Sequence, residues 1–162
     1  MSAPPDLGPI VEVQIRRLPV AIWAQAQQHS DELLREFTLL GHSMHRGDPA
    51  NAPLPLRLVQ LVDDLTADFA GFSGEQEARL FEAAAAGEAE IDLTYRLPAA
   101  VGPAARHLGD LLNEADDYCK AGQHLLTLTS PPETIRFREW FLGEFLRQTA
   151  GGAPVAWPDY AG

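Results

Sequence analysis

Cysteine is nearly absent from this chain. Cys119 is the only one, so no internal disulfide can form and no Cys-rich zinc site can be built. Lysine is equally scarce, with Lys120 alone. The 12 basic residues are outnumbered by 23 acidic ones, for a net charge of −11 and a pI near 4.7. A surface of that sign repels a nucleic-acid backbone, whose recognition needs clustered Lys and Arg. It is equally unsuited to anionic membranes. Partners expected from charge alone are basic, neutral or apolar. No apolar run approaches the roughly 20 residues of a membrane span. The opening MSAPPDLGPI has neither the basic nor the apolar region of a signal peptide, so a cytoplasmic location is expected. Gly-rich phosphate loops, Ser-centred elbows and HExxH are also missing, and no cofactor is expected.

What is present is a sentence written twice. VEVQIRRLPVA (11–21) and EIDLTYRLPAA (90–100) each alternate apolar and polar residues, reach Arg-Leu-Pro, and run on into a helical pattern. The alternation predicts strands covered on one face, with Val11, Val13 and Ile15 inward in the first and Ile91, Leu93 and Tyr95 inward in the second. Pro19 and Pro98 end the strands and suit a first helical turn. Charge decides how the strands meet. In parallel register Glu12 lies near Asp92 and Arg16 near Arg96. Antiparallel about Gln14 and Thr94, Glu12 faces Arg96 and Arg16 faces Asp92. Such pairs contribute only about 0.2–1 kcal/mol each, but the sign changes at both sites, so antiparallel pairing is expected. Duplication and independent origin of a common local solution both account for the repeat.

Between and after these units the chain reads as helix. Residues 22–40 place Ile22, Ala26, Leu33, Phe37 and Leu40 on one face, ending at Gly41. A helix from about Leu56 to Ala70 turns Leu58, Leu61, Val62, Leu65, Phe69 and Phe72 inward. SGEQ (73–76) has the form of a capping box and starts an Ala-rich helix ending at Gly87. A fourth carries the stripe Val101, Ala104, Ala105, Leu108, Leu111, Leu112, Ala115 and Cys119, closed by Gly122. Leu125–Thr129 is a third, short strand, and SPPE (130–133) caps a last helix running to Gln148. The expected fold is α+β and mainly helical, with about five helices packed on a two- to three-stranded sheet. It comprises a flexible arm over 1–9, one domain over 10–149 and a tail over 150–162.

Few residues suggest chemistry. His42, His45 and Asp48 share a loop rich in Gly and Pro, a poor holder for a metal, and no metal site is expected. Cys119 falls on an apolar stripe, as a buried thiol would. Glu114, Asp116 and Asp117 lie opposite that stripe, as a solvated face. His29 sits at the edge of an apolar face. The last helix differs, because Ile135, Phe137, Trp140, Phe141, Leu142, Phe145 and Leu146 wrap roughly two-thirds of its circumference. Either it lies between the sheet and another helix, or it leaves an aromatic strip for a partner. In the second case Phe137, Arg138 and Trp140, with Trp157 of the tail, are the partner-binding residues, for a protein partner or a second copy in a homodimer. The competing reading is a small-molecule site or enzyme using His42, His45 and Cys119.

GFSGEQEARL, EIDLTYRLP, LLTLTSPPE and FREWFLGEFLRQ, with the Trp157-Pro158 pair, resemble a family of small actinobacterial proteins. The resemblance spans Leu18 to Pro158. Members are often encoded near partner-switching anti-sigma factors and their antagonists. The resemblance implies a non-enzymatic regulatory role in stress or sigma-factor signalling. It supplies no catalytic residues.

Overall fold

The computed structural model describes residues 6–43, 53–122 and 129–161, with only the backbone at 42 and 43. The order is β1 (Ile10–Pro19), α1 (Val20–Ser43), α2 (Leu54–Phe69), α3 (Gly74–Ala85), β2 (Glu90–Pro98), α4 (Val101–Ala121) and α5 (Pro132–Thr149). A 3-10 turn at Trp157–Asp159 follows. The fold is α+β, with five helices and a two-stranded antiparallel sheet among the described residues. The third strand expected at Leu125–Thr129 falls almost wholly outside them. His45 and Asp48 also lie outside.

The strands pair as the charges require, with Glu12 opposite Arg96 and Gln14 opposite Thr94. The second expected charge pair needs correction. Between Ile15 and Leu18 the register slips, so Arg16 and Arg17 together oppose Asp92. Arg17 adopts φ 54°. Its backbone N–H donates to Asp92 Oδ1 at 2.7 Å, and its side chain pairs with Glu90 at 3.0 Å. Arg16 turns back onto Gln14 Oε1 instead. The cause is a phase error in the alternation. Val11, Val13 and Ile15 point inward, so an unbroken strand would bury Arg17 and expose Leu18. The bulge reverses that choice and leaves Leu18 wholly buried. Left-handed backbone costs about 1–2 kcal/mol. Burying a leucine returns about 1.5–3 kcal/mol, and burying a guanidinium would cost more than either.

A two-stranded ribbon has two open edges. Both are covered at one cross-strand pair by a glutamine. Gln148 of α5 accepts from the Gln14 N–H and donates to its carbonyl, each at 2.8 Å. On the far edge, Gln76 of α3 donates to the Thr94 carbonyl at 2.7 Å. Gln76 is thus not half of the expected capping box. Ser73 does occupy the N-cap position, but its hydroxyl makes no cap bond. The end of α3 is a Schellman motif, with Gly87 N–H bonded to Ala84 O, Glu88 N–H to Ala83 O, and Gly87 at φ 70°.

Two apolar cores result. One lies under the sheet, where Val13, Ile15, Leu18, Leu93, Tyr95 and Leu97 meet α3 and α5. The other joins Leu33 and Phe37 of α1, Leu58 of α2, and Leu111, Ala115 and Cys119 of α4. Gly41 does not end α1. It lies within the helix, and a Cβ there would meet Leu56 Cδ2 at 2.6 Å, so it marks the close approach to α2. Helix α2 packs only its first half fully, since Pro55 and Leu58 are its only buried residues. Leu61, Val62, Leu65 and Phe69, expected inward, remain partly open.

Arg17→Gly should hold or raise stability by about 1 kcal/mol, because glycine adopts the positive φ freely and an exposed ion pair contributes little. Arg17→Val should lower it by a similar amount or more. Urea unfolding of both variants checks the bulge.

Candidate functional site

Helix α5 carries the aromatic residues that the sequence offers as a partner surface. It packs against β1, α1 and α4, which is the first of the two arrangements expected for it. Phe137 is 4% and Trp140 1% exposed. The expectation of an exposed strip at Phe137 and Trp140 is therefore corrected. The C-terminal segment closes over them. Trp157 sits edge-on to both rings, and Trp140 Nε1 donates to the Val155 carbonyl at 2.8 Å. Arg136 lies over the Trp157 ring, 5.0 Å from its centroid, and donates to the Tyr160 carbonyl. Glu144, wholly buried, pairs with Arg147, accepts from Gln148 and accepts from the Val155 N–H. One carboxylate thus holds both the tail and the glutamine that caps β1.

Arg138 is equally committed. It donates to Asp116 Oδ2 at 2.9 Å and to Asn113 Oδ1 at 2.8 Å, tying α5 to α4. Asp116, expected on a solvated face, is buried. Burial alone would raise its pKa, but hydrogen bonds from Arg138 and Ser130 and the Arg138 charge outweigh it, holding the carboxyl below its ordinary value of 3.8. Ser130 is not the N-cap of α5, a position Pro131 takes. Instead its N–H donates to Asp116 Oδ1, and its hydroxyl meets His29 Nε2 at 3.1 Å. A serine-histidine contact invites comparison with a hydrolase. Here the carboxylate binds the serine backbone and an arginine, not the imidazole, so it does not orient a general base. Cys119 is fully buried, and burial together with the Asp116 charge pushes its thiol up to about 11. It is a core residue and a poor nucleophile. His42 is in the last turn of α1, with no side chain described. No group of three potential metal ligands occurs among the described residues.

The open feature lies elsewhere. Between the half-packed end of α2 and the rest of the molecule runs a cleft of about 590 Å³. Val62, Leu65 and Phe69 of α2 form one wall. Opposite stand Tyr95 and Leu97 of β2, Ala104, Ala105 and Leu108 of α4, and Phe141 and Phe145 of α5. Trp23 and Gln27 of α1 and Glu77 of α3 complete the rim. The cleft exists because α4 presents alanines where α2 presents long side chains, and because the turn at 70–73 leads α2 away toward α3. Its volume falls in the range of small-molecule sites, about 300–1,000 Å³.

Tyr95 gives the cleft its polarity. The residue is 5% exposed, its ring meets Phe145 edge-on at 5.1 Å, and its hydroxyl, with no hydrogen bond among the described residues, is not fully enclosed but opens to the cleft. Burial, and then the nearby Glu77 charge, push its pKa upward, so the hydroxyl stays protonated. Sequence reading placed Tyr95 inward and Ala104 and Ala105 on a core stripe, but took them for packing. The available signal was the run of small residues facing a helix of large ones.

No family model, curated protein or solved structure matches this chain.

Asp116→Asn should cost about 3 kcal/mol at neutral pH by leaving Arg138 without its buried counter-charge. Because the folded pKa of Asp116 lies below 3.8, the wild-type advantage is full above about pH 4 and declines as pH falls through the folded value. Urea unfolding of both proteins from pH 7 to pH 2.5 checks this. A gap that stays constant down the series would contradict the assignment.

Proposed function

We propose that this chain is a non-enzymatic binding protein with a regulatory role, and that the cleft between α2 and the β2–α4–α5 wall is its binding site. The observation that carries this reading is a cleft of about 590 Å³ whose walls are mainly apolar and which the Tyr95 hydroxyl lines without a hydrogen bond among the described residues. That hydroxyl is open to the cleft, so a ligand atom placed there replaces water and gains a net hydrogen bond of about 0.5–1.5 kcal/mol. Apolar walls left apart are stabilised by whatever covers them, at roughly 25 cal/mol per Å².

The regulatory element of the proposal rests on α2. This helix packs on α1 and α4 through its first half, while its second half forms one side of the cleft. A ligand touching both walls couples occupancy to the position of α2, and so to the exposed acidic face carrying Asp63, Asp64 and Asp68. Such coupling suits the partner-switching setting suggested by the family resemblance. The chemistry available at Cys119 supports the enzyme alternative poorly.

A second reading, docking of a protein partner, draws on a different ledge. Phe81 of α3 is 52% exposed and lies edge-on to Trp23 at 5.2 Å. Gln28, Asp31, Glu32 and Arg35 line the same groove, two carboxylates against one guanidinium. A basic partner with an apolar anchor fits that ledge better than it fits the enclosed Trp140.

Nile red, a neutral apolar dye, should bind the native protein saturably at one site, with blue-shifted emission. Ala104→Phe, which fills the cleft from an incompletely buried position, should weaken binding at least ~10-fold while leaving the circular dichroism spectrum unchanged. Saturable binding that survives Ala104→Phe places the site elsewhere. Absence of binding rejects the reading.

A further inference from the structure

The charge around the cleft narrows what it can hold. Among the described residues Glu77 is the single charged side chain lining it, and none of them there is an Arg, Lys or His that could receive an anion. The Tyr95 hydroxyl lines the same cleft as Glu77, whose charge acts on it. Beside them, the polar side chains among the described residues are neutral: Gln27, Thr66 and Ser73. The rest is aliphatic and aromatic. From this arrangement we infer that the ligand is a small cationic amphiphile, an alkyl- or aryl-ammonium compound. Its apolar body lies between Leu65 and Phe145, and its ammonium group sits between the Glu77 carboxylate and the Tyr95 hydroxyl oxygen.

The pairing follows from donor and acceptor inventory. An ammonium group brings three donors and no acceptor. Glu77 offers a charged acceptor, and the Tyr95 oxygen offers a neutral one within an apolar wall. A carboxylate ligand would meet Glu77 with like charge, and Tyr95 alone cannot compensate for that. An alcohol can use Tyr95 but gains nothing from the charge. Phe141 and Phe145 add ring faces toward which a cation is drawn. The net charge of −11 raises the local concentration of cations at the mouth. The inference rests on the cleft being the binding site, and the experiment separates the two claims.

Decylammonium, decanol and decanoate share one apolar chain and differ only in the head group. Displacement of Nile red by each, followed at neutral pH, should rank decylammonium first and decanoate last, with about two- to fivefold between the amine and the alcohol. Glu77→Gln, at an exposed position, should remove the advantage of the amine over the alcohol. Tyr95→Phe, which keeps the ring against Phe145, should weaken amine and alcohol together. If Nile red binds but the three displace it equally, or decanoate does so best, the cation assignment is wrong and the cleft still binds apolar molecules. If the amine ranks first but keeps its advantage in Glu77→Gln, Glu77 is not its partner and the assignment is likewise overturned. If neither the dye nor any decyl compound binds, the binding site itself is wrongly placed.

Discussion

The phase of one strand governs the molecule. β1 and β2 bury a single apolar face against the helices, and a two-stranded ribbon has little stability without such a cover. That face is continuous only because the bulge at Arg16 and Arg17 returns Leu18 to the inside. The same event frees a backbone N–H, which Asp92 takes, and points the Arg17 side chain at Glu90. Tyr95 and Leu97 then reach the cleft because they follow the regular phase of β2 opposite. Local backbone strain at the ribbon's outer face is therefore the condition for order at its inner one.

Buried charge is used in a consistent way. Glu144 and Asp116 are both removed from water, and each meets an arginine plus a backbone N–H. Each joins elements distant in sequence: Glu144 links α5 to the tail and, through Gln148, to β1, while Asp116 links α4 to α5 and to Ser130. Ion pairs of this kind add little net stability over apolar packing, but they restrict which packing is possible. The cleft shows the opposite economy. Among the described residues its walls hold the Tyr95 hydroxyl and one rim carboxylate without a facing cation, both open to solvent and so available to an incoming molecule.

Much of this architecture was legible, and the misses have identifiable causes. Alternation and charge together specified antiparallel strands with Gln14 opposite Thr94, because a one-residue slip would have exposed the whole apolar set. Nothing in that pattern said where a bulge would absorb the extra residue, although Arg17 standing where an apolar residue was due is its trace. Ser73 and Gln76 match a helix-start motif. Sequence cannot reveal that a strand carbonyl 18 residues away competes for the same amide and wins. Trp140 illustrates the limit on surfaces. A helix apolar over two-thirds of its circumference must be covered, yet its own sequence does not say whether the cover is a partner or the chain's own Trp157. The cleft was least visible, since Leu65 and Phe69 have the same periodicity whether a neighbouring helix meets them or stands off.

The ribbon also has a temporal consequence. Gln14 and Thr94 are 80 residues apart, and no described strand lies nearer for either to join. During synthesis at about 5–20 residues per second, β1 emerges roughly 4–16 seconds before its mate exists. Its final edge cover, Gln148, arrives later still. Contacts of such long range slow folding, and an unmated apolar strand is open to the wrong neighbours meanwhile. The polar side of β1, with Glu12, Gln14, Arg16 and Arg17, is then a safeguard for the nascent chain as well as a solvated face of the finished one.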